Sequence, residues 1–323
     1  MLPPVTIESV EPFFTTDRKP GLRVSAAEMQ GRSLTGTLRV RLEGIPESEK
    51  TLDLQLTANE KRSFETICDN LNVVPIQAYN AEVTVTTKSG YSVTTKIPVN
   101  FMRTDKWTIT PKIDGNLADW KQIAPIPLEG RPWVVRSPEH YRGNDDLAAT
   151  LRFAWDHQAL YLAAEVTDDV YFQDQTGFHT WMGDCIQLDL DLDPRKEDRR
   201  TGNELADKAN RHRVSEINLA LTAKGPEAFR TVTFDDQKFP MTQLTPTDLP
   251  LAVTRHNNRL TYETAIPWKT LGADGPPKDG LIGFALTIND KDDANQVDPS
   301  ALGAFQLKDT RKFGRMFLAE PKK

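Results

Sequence analysis

The stretch from His179 to Asp193, HTWMGDCIQLDLDLD, concentrates the groups with the most chemistry in this chain. Trp181 precedes a Met182-Gly183-Asp184 turn, and a period-two alternation follows. Ile186, Leu188, Leu190 and Leu192 share one side of the strand; Gln187, Asp189, Asp191 and Asp193 share the other. An apolar face that packs on a core, backed by hydrogen-bonding groups beside an indole, suits holding a polyhydroxylated ligand. It does not suit breaking a bond. The close, like-charged Asp189, Asp191 and Asp193 also suggest a structural calcium ion, a hard cation that takes oxygen ligands, with Asp168 and Asp169 as further donors. Solvated carboxylates, or pairing with Arg195, Arg199 and Arg200, account for the same three residues.

Catalytic patterns do not compete with this reading. A glycoside hydrolase needs two carboxylates set across a cleft, and the many acids here include no pair that spacing isolates. The sequence carries no GxSxG elbow, HExxH helix, Walker loop or GxGxxG turn. The histidines His140, His157, His179, His212 and His256 lack ligand spacing. Neither haem nor a nucleotide is expected, and no catalysis by this chain alone.

These residues need a scaffold, and the patterning predicts strands throughout. At 323 residues the chain is long enough for two domains. Gly36–Leu42, Leu52–Leu56, Ala81–Thr87 and Val93–Val99 alternate with period two between turn residues such as Gly44-Ile45-Pro46 and Ser89-Gly90-Tyr91. That spacing fits an immunoglobulin-like sandwich over residues 1–104, without the Cys-Trp-Cys set of antibody domains. Arg103–Trp107 reads as a linker, and residues 105–323 as a second sandwich. Its expected strands are 151–155, 160–166, 216–221, 230–234, 251–254, 260–266, 281–288 and 315–319. Asp193–Arg213 is polar and reads as a surface excursion with a short helix at Asn203–Asn210. The expected class is all-β, two β-sandwich domains in tandem.

Composition narrows the partners. A net charge of −6, spread along the sequence, argues against nucleic acid as a partner. The longest apolar runs are strand-sized, too short for a membrane-spanning helix. Met1-Leu2-Pro3-Pro4 does not open a signal peptide, and LPPVTIESVEP resembles the start of a domain cut from a longer protein. Cys68 and Cys185 fall in different expected domains and read as buried small hydrophobes rather than a disulfide.

Six segments in order carry a family resemblance: Ile113-Asp114-Gly115-Asn116-Leu117-Ala118-Asp119-Trp120; Phe153-Ala154-Trp155-Asp156 with Leu160-Tyr161-Leu162 and Asp168-Asp169; Trp181-Met182-Gly183-Asp184; Tyr262-Glu263-Thr264-Ala265-Ile266-Pro267-Trp268; Gly283 to Asp290; and Phe313 to Leu318. Over about residues 107–320 the chain resembles carbohydrate-binding module family 9, a β-sandwich family found beside glycoside hydrolases. The resemblance implies a sugar held between two tryptophans with polar side chains on its hydroxyls. The first tryptophan carries over to Trp181. Where the second belongs, the sequence runs Leu302-Gly303-Ala304-Phe305-Gln306-Leu307, so Phe305 is the nearest aromatic, either a smaller platform or core. The family's glutamate after the first tryptophan is Gln187 here, which keeps hydrogen bonding without the charge. Arg213 matches a sugar-contacting arginine, and Asn289 lies near the implied site.

Trp120, Trp155 and Trp268 sit in apolar contexts and read as core. Trp133 and Tyr141 flank a loop, Pro132–Asn144, that also holds Arg136, His140 and Arg142 and offers a second wall for the site. The expected function is non-catalytic binding of a polysaccharide or oligosaccharide, delivering a catalytic domain in the same or an associated chain to it. Such proteins act outside the cell or at its surface. The rival readings are a structural module that packs on a neighbouring domain and, less favoured, an active part of a glycoside hydrolase.

Overall fold

Alternating apolar residues over runs of five to ten positions make strands here because each run can bury one face while its backbone pairs sideways. The computed structural model describes residues 2–68, 71, 73–194 and 214–320. The chain is all-β and divides after Met102 into two compact units. Among the described residues no helix is long and apolar enough to cross a membrane.

The first unit holds β1 (Val5–Phe14), β2 (Pro20–Glu28), β3 (Leu34–Leu42), β4 (Ile45–Leu56), β5 (Lys61–Ile67), β6 (Tyr79–Thr87) and β7 (Ser92–Val99). A three-stranded sheet, β1-β2-β5, and a four-stranded one, β4-β3-β6-β7, enclose Val24, Leu38, Val40, Leu54, Val83 and Val85. Pro46 was expected in a turn but lies inside β4, which turns tightly out of β3 at Gly44. An edge strand accommodates proline, and β4 is an edge.

The second unit begins with a correction. Arg103–Trp107, expected to be a linker, largely forms β8 (Met102–Lys106), which pairs in parallel with Ala154 and Trp155. It has no clean alternation, so patterning did not reveal it. Then follow β9 (Ile126–Leu128), β10 (Val134–Arg136), β11 (Leu147–Trp155), β12 (Ala159–Asp168) and β13 (Cys185–Asp191). The later strands are β14 (Val214–Thr222), β15 (Gly225–Val232), β16 (Gln243–Leu244), β17 (Leu251–His256), β18 (Arg259–Pro267), β19 (Leu281–Asp290), β20 (Ser300–Ala304) and β21 (Gly314–Ala319). They form one hydrogen-bonded ribbon folded into two layers. The first layer is β9-β11-β12-β18-β17; the second is β16-β15-β14-β13-β19-β20-β10; β21 and β8 make the corner. Phe153 of β11 meets Phe284 of β19 between the layers, ring centroids 6.1 Å apart. Ile186, Leu188 and Leu190 are buried, and each such side chain contributes about 1.5–3 kcal/mol.

The outer face of the first layer has a second small core. Ala154, Ala163 and Ala265 leave a shallow floor on which Trp120 lies fully buried, its ring edge-on to Trp107 at 4.5 Å. Glu263 of β18 fixes this lid. Its carboxylate accepts from the Trp120 indole N–H at 2.8 Å and from the backbone N–H groups of Asp114 and Gly115 at 2.9 and 2.8 Å. Gly115, at φ +79°, suits that left-handed turn. Trp155 and Trp268 are buried as expected, donating to the carbonyls of Thr104 and Asp156.

Replacing Glu263 by alanine leaves three donors without their acceptor. The expected loss is about 3 kcal/mol, a fall of about 6–12 °C in the melting midpoint of this unit. Thermal unfolding followed by tryptophan fluorescence checks it; an unchanged midpoint contradicts the assigned role.

Candidate functional site

The polar side of β13 is not a solvent face. Gln187, Asp189 and Asp191 are each 1% exposed, so both sides of the strand are buried. The strand register extends this polar side across the layer. Gln187 stands between Asn218 of β14 and Thr287 of β19, Asp189 is paired with Glu216, and Cys185 with Asn289. Desolvated groups of this kind require partners, and the surrounding segments supply most of them.

Three strands tether the turn that carries Trp181. Residues Gly177–Met182 form a 3-10 turn. The Gly177 N–H donates to Glu227 of β15, Asn218 Nδ2 donates to the Thr180 hydroxyl at 3.1 Å, and Asn289 Nδ2 donates to the Trp181 carbonyl at 2.8 Å. Gln173 Nε2 bridges the carbonyls of Thr180 and Asp184 at 2.9 and 3.0 Å. A side chain at Gly183 would lie 2.7 Å from Gln173 Oε1 and 2.9 Å from the Phe172 carbonyl, so glycine is required by close approach. Trp181 is thereby held half-buried at the end of the polar row, with the Arg136 guanidinium carbon 5.8 Å from its ring centroid.

Trp181, Gln187 and Asn289 come together as the sequence predicts. Gln187 Oε1 accepts from Asn289 Nδ2 at 3.0 Å and from the Thr287 hydroxyl at 3.4 Å. Asn218 and Arg136 complete the group. Asn218 was missed, although Glu216-x-Asn218 repeats the polar alternation of Gln187-x-Asp189. Asn218 Oδ1, Asn289 Oδ1 and Arg136 Nη1 are buried and have no hydrogen-bond partner among the described residues. Two acceptors and a donor without partners beside an indole are what hydroxyl groups of a ligand would satisfy.

Other expected residues fall elsewhere. Phe305 packs edge-on to Phe284 at 5.2 Å and joins Leu307 against Val214, Ala285 and Phe313, the core alternative rather than a platform facing Trp181. Trp133 is half-buried in the turn before β10. Tyr141 is buried, its hydroxyl donating to Asn144 and accepting from the Gly130 N–H, so it braces the loop. Arg213 lies outside the described residues, as do Arg195, Arg199, Arg200 and the expected helix at Asn203–Asn210. Cys68 and Cys185 are both buried.

The expected calcium ligands need correcting. Asp193 is exposed; Asp191 accepts from the Asp193 N–H at 2.8 Å; Asp189 accepts from the Lys308 N–H at 2.7 Å. Burial, then the adjacent Glu216 charge, pushes the Asp189 carboxyl well above the usual range. These three do not converge, because alternate residues of an extended strand step apart along it.

A different set does converge. Oxygens of Asp168, Asp184 and Asp290 lie within 4.8 Å of one another, and all three side chains are buried. They come from the end of β12, the turn after Gly183 and the end of β19. Asp168 Oδ1 and Asp290 Oδ1 have no hydrogen-bond partner among the described residues. Burial, reinforced by neighbouring acids, raises Asp168 to about 6 and Asp290 to about 8, and pushes Asp184 well up. Buried acids with orphaned oxygens fit a hard divalent cation. The adjoining acids Asp146 and Asp292 are served by Arg142, at 2.7 and 2.6 Å, which also contacts Asp169.

Comparison with known proteins adds to this geometry. Residues 113–320 match the profile of the family described as carbohydrate family 9 binding domain-like. Endo-1,4-beta-xylanase A of Thermoanaerobacterium saccharolyticum is 26% identical over 217 residues, which are 65% of this chain and 15% of that protein. Endo-1,4-beta-xylanase A of Thermotoga neapolitana is 27% identical over 188 residues, 58% of this chain and 14% of that protein. The chain thus spans only a small part of these relatives. Among solved structures, a family 9 carbohydrate binding module from Caldicellulosiruptor kristjanssonii in complex with cellotriose is 14% identical, covering 68% of this chain and 94% of its own, with a TM-score of 0.47. A putative carbohydrate-binding protein from Bacteroides uniformis is 12% identical, covering 68% and 98%, with a TM-score of 0.45.

Proposed function

Since the chain belongs, through residues 113–320, to the carbohydrate family 9 binding domain-like family, we propose that its second unit binds a glycan through the outer face of the β13–β19 layer. The observation that carries this reading is the row Asn218, Gln187 and Asn289 beside Trp181, with buried side-chain atoms still lacking partners. Trp181 stacks on the apolar face of a sugar ring, and the amides meet its hydroxyls. No proton or bond has to move, and the matched family is one of binding domains. Trp133, half-buried before β10, is a further sugar contact in this reading, and Arg213 is assigned to the sugar by the family resemblance alone.

The unit's task in a larger setting is delivery. The xylanase relatives match it over only 15% and 14% of their own lengths, which supports an ancillary module that holds a catalytic domain, attached or associated, on a polysaccharide. The first unit is then an immunoglobulin-like spacer, and the work is done outside the cell or on its surface. Loss of Trp181 removes about 2 kcal/mol of ring contact, so Trp181→Ala weakens binding by about 30-fold. Affinity electrophoresis in soluble polysaccharides checks this. No retardation on any polysaccharide, or retardation unchanged in the variant, favours a structural module that packs on a neighbour.

Calcium at Asp168, Asp184 and Asp290 is the second part of the reading. When bound it neutralises the acids that end β12 and β19 and ties them to the turn bearing Trp181. With calcium at about 100 times its dissociation constant, the chelator-treated protein gains about 2.7 kcal/mol, or about 5–10 °C in melting midpoint. Asp290→Asn is expected to lose most of that gain. Equal midpoints in chelator and in calcium would remove calcium from the account.

A further inference from the structure

We propose that the Trp181 site selects glycans bearing a carboxylate, a uronic acid, and that Arg136 is the residue that recognises it. This rests on the glycan-binding reading of the same face and names its ligand class.

The first ground is position. Arg136 on β10 is paired with Ala301 of β20, Ala301 with Asn289 of β19, Asn289 with Cys185 of β13, and Cys185 with Ala220 of β14. The row therefore runs from a guanidinium across three small residues and one amide. Ala301, Asn289, Cys185 and Ala220 are all buried, so the partly exposed members of this end of the face are Arg136 and, beside it, Trp181. A partly exposed guanidinium 5.8 Å from an indole can reach what stacks on that indole.

The second ground is that a stacked sugar and Arg136 compete for one ring face. A pyranose needs a van der Waals contact of about 3.5–4.0 Å on each of its sides, so about 7–8 Å between guanidinium and indole. The observed 5.8 Å is too short. A ring that stacks there displaces the guanidinium, which stays tethered to β10 at the ligand's edge.

The third ground is that the guanidinium arrives without a partner. Among the described residues no ion pair holds Arg136, and its Nη1 is buried without an acceptor. Displacement gives up the cation–π contact and leaves a charged fork to be satisfied. A neutral hydroxyl returns an ordinary hydrogen bond. A carboxylate returns two charge-assisted bonds in the geometry that guanidinium matches best. The acids on this face do not cancel the preference at its centre: Asp189 and Glu216 stand two residues along their strands from Gln187 and Asn218, and Lys308 Nζ lies 3.7 Å from Glu216.

Titration calorimetry with three disaccharides that differ only at C6 tests this: cellobiose, cellobiouronic acid and its methyl ester. The wild-type chain is expected to bind the acid about tenfold tighter than the ester or cellobiose. Arg136→Met is expected to bring the acid-to-ester ratio close to one, and Arg136→Lys to leave an intermediate ratio. Wild-type melting midpoints in both variants show that folding is intact. Equal binding of acid and ester by the wild type, or a preference that survives in Arg136→Met, overturns the inference and leaves glycan binding standing. Failure of all three sugars, with no retardation on any polysaccharide, overturns both.

Discussion

A polar face taken out of water must have its hydrogen bonds met, and the second unit is organised around that constraint. The outer side of the β13–β19 layer carries Gln187, Asp189, Glu216, Asn218 and Asn289, all nearly inaccessible to solvent. The turn Gly177–Met182 is pinned to β14, β15 and β19 by side chains of that face. The loop after β20 folds back so that the Lys308 N–H reaches Asp189, with Phe305 and Lys308 both in the left-handed region. Isolated side chains in that conformation are costly and tend to mark positions that a neighbouring structure dictates. Two amide oxygens and one guanidinium nitrogen remain unmet near Trp181, while Asp189 Oδ1 and Glu216 Oε2 lack hydrogen-bond partners farther along the face.

The opposite outer face solves the same problem with one carboxylate. Glu263 takes three donors from the segment Asp114–Trp120, so a tryptophan lid closes on an alanine floor. That face is closed by a lid of the chain itself, while the other leaves Trp181 and Arg136 partly exposed at its edge. The acids Asp168, Asp184 and Asp290 stand where β12 and β19 end and where the Trp181 turn enters β13. A cation there would stiffen the ligand face from beneath without touching the sugar.

Much of the fold was legible because alternation reports which residues share a strand face. It says nothing of what covers that face, which is why Asp189 and Asp191 read as surface or calcium groups and are buried instead. Asn218 escaped because its place beside Gln187 depends on strand register, set by pairing between segments far apart in sequence. The converging acids are separated by 16 and 106 positions, and only the ends of β12 and β19 bring them to one point. Their common signal was position: each stands at a strand terminus. The strand β8 escaped for the opposite reason, since Met102–Lys106 has a pairing partner but no alternating pattern. Arg136 was visible as part of a mixed loop, but its contact with Trp181 follows from the pairing of β10 with β20.

The central claim is that ligand meets the chain at the Trp181 end of the β13–β19 face. The six tryptophans provide the direct test, because their indole N–H groups sit at separate places in the fold. Proton–nitrogen correlation spectra recorded during titration with a retained oligosaccharide should show the Trp181 indole moving, together with side-chain amides of Asn218, Gln187 and Asn289. The indoles of Trp120, Trp155 and Trp268, which are sealed by their own hydrogen bonds, should stay in place. A titration that moves those three and leaves Trp181 unchanged would contradict the account.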